Sequence, residues 1–139
     1  VNSDKKKMPL CTSERLSVLW IVVMFSMAFA DILTFVLPEA LSDLVMGTTD
    51  VIITQELLLV MAVFVQIPII MIYLSRVLNY KINRWANIIA AIITIIFVIG
   101  GGSLYLHYLF FASMEVICLL LIIWYSWKWK VAAEGSRTE

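Results

Sequence analysis

The sequence predicts an all-α polytopic membrane protein, an antiparallel bundle of four transmembrane helices with both termini cytoplasmic, on three observations. Hydrophobic residues make up 63% of the chain and charged residues 14%, whereas about a quarter of a soluble domain is charged; mean hydropathy is +0.99. Apolar stretches at 16–37, 54–75, 85–101 and 104–127 come close to the about 20 residues that a helix needs to cross a hydrocarbon core. The ten Lys and Arg residues all fall on one side of that pattern. Lys5, Lys6, Lys7 and Arg15 precede the first stretch, Arg76, Lys81 and Arg84 separate the second from the third, and Lys128, Lys130 and Arg137 follow the fourth. The other two connections hold only the acids Glu39, Asp43 and Asp50, or no charge at all. This is the positive-inside distribution, and it assigns residues 1–139 to a single membrane domain.

The first span begins after a basic segment and runs to Leu37, with Pro38 ending it. Lys5 to Lys7 followed by an apolar run and Ala28-Phe29-Ala30 imitates a cleavable leader. Apolar sequence continues past that point through Phe35 and Leu37, so a retained helix is expected. The acidic loop from Glu39 to Ile53 contains Leu41, Leu44, Val45 and Met46, a pattern for a short amphipathic helix lying at the interface. Thr54 is a candidate cap for the second span, with Gln55 and Glu56 in its first turn, where acidic charge suits the helix dipole. Asn79, Tyr80 and Lys81 are read as a cytoplasmic turn. Gly100 to Gly102 is read as a tight outer hairpin, using backbone angles that other residues avoid. Such short links make sequence neighbours antiparallel spatial neighbours.

Aromatic residues fit the same frame. Trp20, Trp85, Trp124, Trp127 and Trp129 fall toward the basic ends of the spans and Tyr105 and Tyr108 toward the acidic ends, as interfacial anchors do. Ala86, Asn87, Ala90, Ala91 and Thr94 form a small-residue stripe on the third span, the kind that lets helix backbones approach closely in lipid. Cys11 and Cys118 are expected to lie far apart, without a disulfide. No metal site is expected, because His107 is the single histidine and no ligand cluster surrounds it. No cofactor motif occurs, and the few basic residues at the span ends offer no nucleic-acid surface.

The polar groups inside the spans are where function would reside. With a rise of about 1.5 Å per residue, Gln66 and Glu115 come near the midplane and Asp31 about 6 Å to the outer side of its span's centre. Tyr108 lies seven residues before Glu115 on one face of the fourth span, Thr34 one turn from Asp31, and His107 near the outer end. Asp31, Gln66, Tyr108 and Glu115 are therefore the candidate ligand or proton site, with Thr34, Pro68 and His107 as contributors. Pro68 removes a backbone donor and crowds the Phe64 carbonyl, bending the second span beside Gln66. An ionised acid at a helix centre costs about 2.5 to 3.5 kcal/mol to insert, so a protonated Glu115 is expected. Such an acid can clamp helices by donating to Gln66, or it can serve a ligand or a proton; the sequence leaves both open.

The stretches FADILTFVLP (29–38), IPIIMIYLSRVL (67–78), NRWANIIA (83–90) and FFASMEV (110–116) resemble a family of small bacterial four-helix integral membrane proteins that is known only as a domain of unknown function. The resemblance runs through Asp31, Pro68, Arg76, Asn83, Arg84, Ala86, Asn87 and Glu115. It implies an integral, inner (plasma) membrane location and assigns no activity.

Three expectations follow. The first is a small-ligand binding or proton-coupled transport module built on Asp31, Gln66 and Glu115, for a small amphipathic or cationic ligand, with a homodimer supplying the thickness that one thin chain lacks. The second is an accessory or scaffold subunit of a larger membrane complex, its intramembrane polar groups structural. The third, an intramembrane enzyme on a lipid-like substrate with Asp31 or Glu115 as acid or base, lacks every completing motif: no Ser/His/Asp set, no HExxH, no phosphate loop. The lipid bilayer is the one partner common to all three.

Overall fold

The computed structural model describes residues 11–49 and 52–130; Lys5, Lys6, Lys7, Asp50 and Arg137 of the charge pattern lie outside the described residues. Those described form five helices and no strand: α1 (Thr12–Val36), α2 (Pro38–Met46), α3 (Gln55–Val77), α4 (Tyr80–Gly100) and α5 (Leu106–Lys128). α1, α3, α4 and α5 are long and apolar enough to cross a membrane.

Each boundary has a local cause. At the start of α1 the Glu14 carboxylate accepts from the Cys11 amide at 3.3 Å. Pro38 occupies the first turn of α2, where its missing N–H would have had no helical partner. Gly47 closes α2 at a φ of 67°, the left-handed conformation that glycine adopts without strain. Thr54 Oγ1 accepts from the Leu57 amide at 3.2 Å and caps α3. Thr54→Ala should therefore cost about 1 kcal/mol, read as faster amide exchange confined to the first turn of α3.

Two sequence readings of the links change. The turn expected over Asn79 to Lys81 is shorter, because α4 already begins at Tyr80 rather than near Trp85, with the Asn83 amide donating to the Asn79 carbonyl at 2.8 Å. An apolar run marks the stretch that suits hydrocarbon, whereas a helix extends as far as its backbone is capped. The glycines of the α4–α5 link do not use unusual angles, since Gly47 holds the one positive φ among the described residues. Their role is space: a Cβ on Gly101 would meet the Phe97 carbonyl oxygen at 3.1 Å, and one on Gly102 would meet the Tyr108 ring at 3.4 Å.

α1 packs against α5 and α3, and α4 against both α5 and α3. Cross-helix contacts fix the directions. Ser17 near the start of α1 meets Ile72 near the end of α3, and Arg15 lies over the Tyr125 ring near the end of α5. Thr34 near the end of α1 meets His107 at the start of α5, and Arg84 at the start of α4 lies over Trp127. Neighbours therefore run in opposite senses. The described basic residues Arg15, Arg76, Lys81, Arg84, Lys128 and Lys130 gather at one end of the helices, with Glu39, Asp43 and Glu56 at the other. The core comprises Leu16, Trp20, Val23 and Met27 of α1 with Met71, Ala90, Ala91, Leu119 and Ile122 of its neighbours.

Candidate functional site

Two polar assemblies lie among the helices, one saturated and one in which exposed Asp31 and buried Glu115 stand without a hydrogen-bond partner among the described residues. Near the basic end, Asn87 on α4 is fully buried. Its Oδ1 accepts from the Trp20 indole at 2.7 Å and from Ser75 Oγ at 3.0 Å. Its Nδ2 donates to the Asn83 carbonyl at 2.8 Å and to Asn83 Oδ1 at 2.6 Å. A primary amide offers two donors and an acceptor with two lone pairs, so Asn87 is saturated. Asn83 Nδ2 donates onward to the Ser75 carbonyl at 2.7 Å, satisfying a carbonyl that the end of α3 leaves without a helical partner. Beside this hub, Arg76 Nε donates to Ser17 Oγ at 3.0 Å, and Ser17 Oγ donates to the Ile72 carbonyl at 2.9 Å. The network joins α1, α3 and α4.

Several sequence readings are revised here. Asn87 lies with Ala90, Ala91 and Thr94 on the buried face of α4, and half-buried Ala86 flanks them, but Asn87 is the centre of a hydrogen-bond hub as well as a small packing residue. Trp20, expected as an interfacial anchor, is completely buried and hydrogen-bonded, whereas Trp85, Trp124 and Trp127 are exposed. The sequence alone does not mark the hub partners Ser17, Ser75 and Asn83 as a site. The available signal was Asn83 and Asn87 four apart on one helix face.

Toward the other end lies a cavity of about 70 Å³ enclosed by α1, α3, α4 and α5. Asp31, Tyr108 and Glu115 all line it, with Ala30, Met61, Val65, Phe97 and Gly101 among the walls. Glu115 is 3% exposed. Neither its carboxyl nor that of Asp31 has a hydrogen-bond or ion-pair partner among the described residues. Tyr108 and Glu115 come together because seven residues return to nearly the same face of a helix.

Asp31 also lines a second, larger space of about 470 Å³ between α1, α2 and α3, whose remaining walls are mostly apolar and include Phe35, Leu44, Leu57 and Ala62. Thr34 lines this groove too, but its hydroxyl is engaged. It donates to the Ala30 carbonyl at 2.8 Å and lies 3.0 Å from His107 Nε2, an arrangement in which the imidazole N–H donates to Thr34. His107 stacks on Tyr105 with ring centroids 5.8 Å apart, so it ties α5 to α1 rather than lining the cavity. Pro68 is buried on the inner face of α3. Gln66 is exposed on the opposite side and lines neither space; Val65, one 100° step earlier, takes the place that depth alone would have given it.

Among the described residues no group of three His, Cys, Asp or Glu side chains converges as a metal-ligand set. Cys11 is exposed and Cys118 buried, both as free thiols. The cavity can hold charge, exchange a proton or bind a compact polar group; it offers no activated nucleophile. Residues 9–135 match the model of a family described as "Family of unknown function (DUF6326)", and the chain belongs to that family. No curated protein and no solved structure matches the chain.

Proposed function

We propose, for this member of a family without an assigned activity, a membrane-embedded binding module in which a cationic amphiphile exchanges for a proton on Glu115. The observation that carries the reading is Glu115 itself, nearly fully buried, without a partner and facing one cavity together with Asp31. Two carboxyls in one low-dielectric space repel when both are charged. A proton on Glu115 relieves that repulsion, and so does a cation beside Asp31, so each displaces the other. Charge balances: the cation enters, the Glu115 O–H breaks, and one proton leaves.

The two spaces divide the ligand. About 70 Å³ admits a few waters or a compact cationic head, which the face of the Tyr108 ring can also attract. The groove of about 470 Å³ falls within the roughly 300–1,000 Å³ typical of small-molecule pockets and suits an apolar body. Asp31 stands at the junction. A location in the inner (plasma) membrane, with the basic helix ends and the termini cytoplasmic, belongs to the same proposal, and transport would require a second copy to complete a path.

The test is cation binding to reconstituted protein, with decyltrimethylammonium, a compact permanent cation on an apolar chain, as the probe and proton release followed by a pH dye. Asp31→Asn should weaken binding at least about tenfold, the loss of roughly one close charge pair. Glu115→Gln should bind without releasing a proton. Proton release unchanged in Glu115→Gln contradicts the reading. A scaffold role in a larger complex is the second reading, favoured by the saturated Asn87 hub; under it both acid variants leave cation binding untouched.

A further inference from the structure

We infer that α3 carries a dimer interface for a second copy of this chain, centred on Gln66. α3 spans Gln55–Val77, and Gln66 is its middle residue, eleven positions from either end. The side chain is exposed and has no hydrogen-bond partner among the described residues. At the centre of a membrane-crossing helix the surrounding lipid offers an amide neither donor nor acceptor. Something else must satisfy it.

The neighbours of Gln66 show what. Leu59, Val63, Ile70, Tyr73 and Val77 are all exposed, and with Gln66 they recur at alternating spacings of four and three, the heptad seam of two helices packed in a left-handed crossing. The seam lies away from the face of α3 that holds Val65, Pro68, Met71 and Ser75 toward the other helices, and none of its residues lines the acidic cavity or the groove beside α2. A polar residue at one seam position is a known device for fixing register. An amide is self-complementary, donating through Nε2 and accepting through Oε1, so two copies related by a two-fold axis satisfy each other at this position with no further residue. The described basic residues gather at one end of the helices, and two copies inserted the same way place identical depths of α3 side by side.

The experiment is cysteine cross-linking of the full chain in liposomes, with Cys11 and Cys118 replaced by Ser. Val63→Cys and Ile70→Cys, which keep Gln66, should each form disulfide-linked dimers on mild oxidation. Phe29→Cys and Ile96→Cys, equally exposed but off the seam, should not. Fluorescence energy transfer between labelled copies should show dimers whose dissociation constant rises about tenfold in Gln66→Leu, the scale of one polar interhelical contact; this apolar change on an exposed face leaves the fold intact. Equal cross-linking at Ile96 and Val63, or a purified chain that stays monomeric, would overturn the inference, the latter outcome assigning the seam to a different protein. Association unchanged in Gln66→Leu would equally overturn the role of the amide.

Discussion

Asn87→Leu should destabilise the protein by about 2–3 kcal/mol, more than one lost hydrogen bond, because several buried groups lose a partner at once. Leucine nearly matches asparagine in size, so packing changes little. What changes is that the Trp20 indole N–H, the Ser75 hydroxyl and the Asn83 side chain lose their shared partner at a buried position. A serine hydroxyl can rotate toward a backbone carbonyl, whereas an indole N–H fixed by a fully buried ring cannot. Trp20→Phe, which removes only that donor, should cost about 1 kcal/mol, because Asn87 then keeps three of its four bonds. Unfolding of the purified protein in mixed micelles by a denaturing detergent gives both values. An Asn87→Leu protein as stable as the parent would show that the hub is not held as described.

Glu115→Leu should have the opposite sign. Glu115 is 3% exposed, and its carboxyl faces the cavity without a hydrogen-bond partner among the described residues; an unpaired buried polar group costs about 1–3 kcal/mol. Replacing it with an apolar side chain of similar length should raise stability by about 1–2 kcal/mol and abolish proton release on cation binding. The pairing of a stability gain with lost function separates a working site from a clamp. Were Glu115 a clamp between helices, the same substitution would lower stability. The same micelle unfolding assay, run beside Asn87→Leu, decides between them.

These two residues also show what the sequence could and could not disclose. Helix existence and direction were legible, because four apolar runs and one-sided basic residues are global patterns that tolerate boundary errors such as Tyr80 against Trp85. The association of Tyr108 with Glu115 was legible as well, since both lie on one helix and the spacing fixes their shared face. Relations between helices were not. Rise per residue places Gln66 at mid-depth but says nothing about the rotation of α3, and a helix apolar nearly all round has no stripe to set it. Pro68, two residues on and about 200° around, is the inward one, so Gln66 faces out. Trp20 is not legible for a related reason: interfacial preference describes tryptophans in general, and what holds this one inside is the core of α1 and its neighbours together with Asn87, sixty-seven residues away.

Asp31 depends on both kinds of information. Its position within a long apolar helix is evident from the sequence, but its place between a small cavity and a larger, mostly apolar groove depends on where α2 folds back, and that is set by Leu37 and Pro38 at the helix junction. In the proposed binding reading, a carboxylate at this junction serves a ligand with a cationic head and an apolar body.

The most direct test is infrared difference spectroscopy on lipid-reconstituted protein, comparing spectra with and without decyltrimethylammonium. The account predicts loss of a protonated-carboxyl C=O band on cation binding, present in the parent and absent from the difference spectrum of Glu115→Gln. A spectrum with no carboxyl change, or the same change in Glu115→Gln as in the parent, would contradict proton exchange at Glu115.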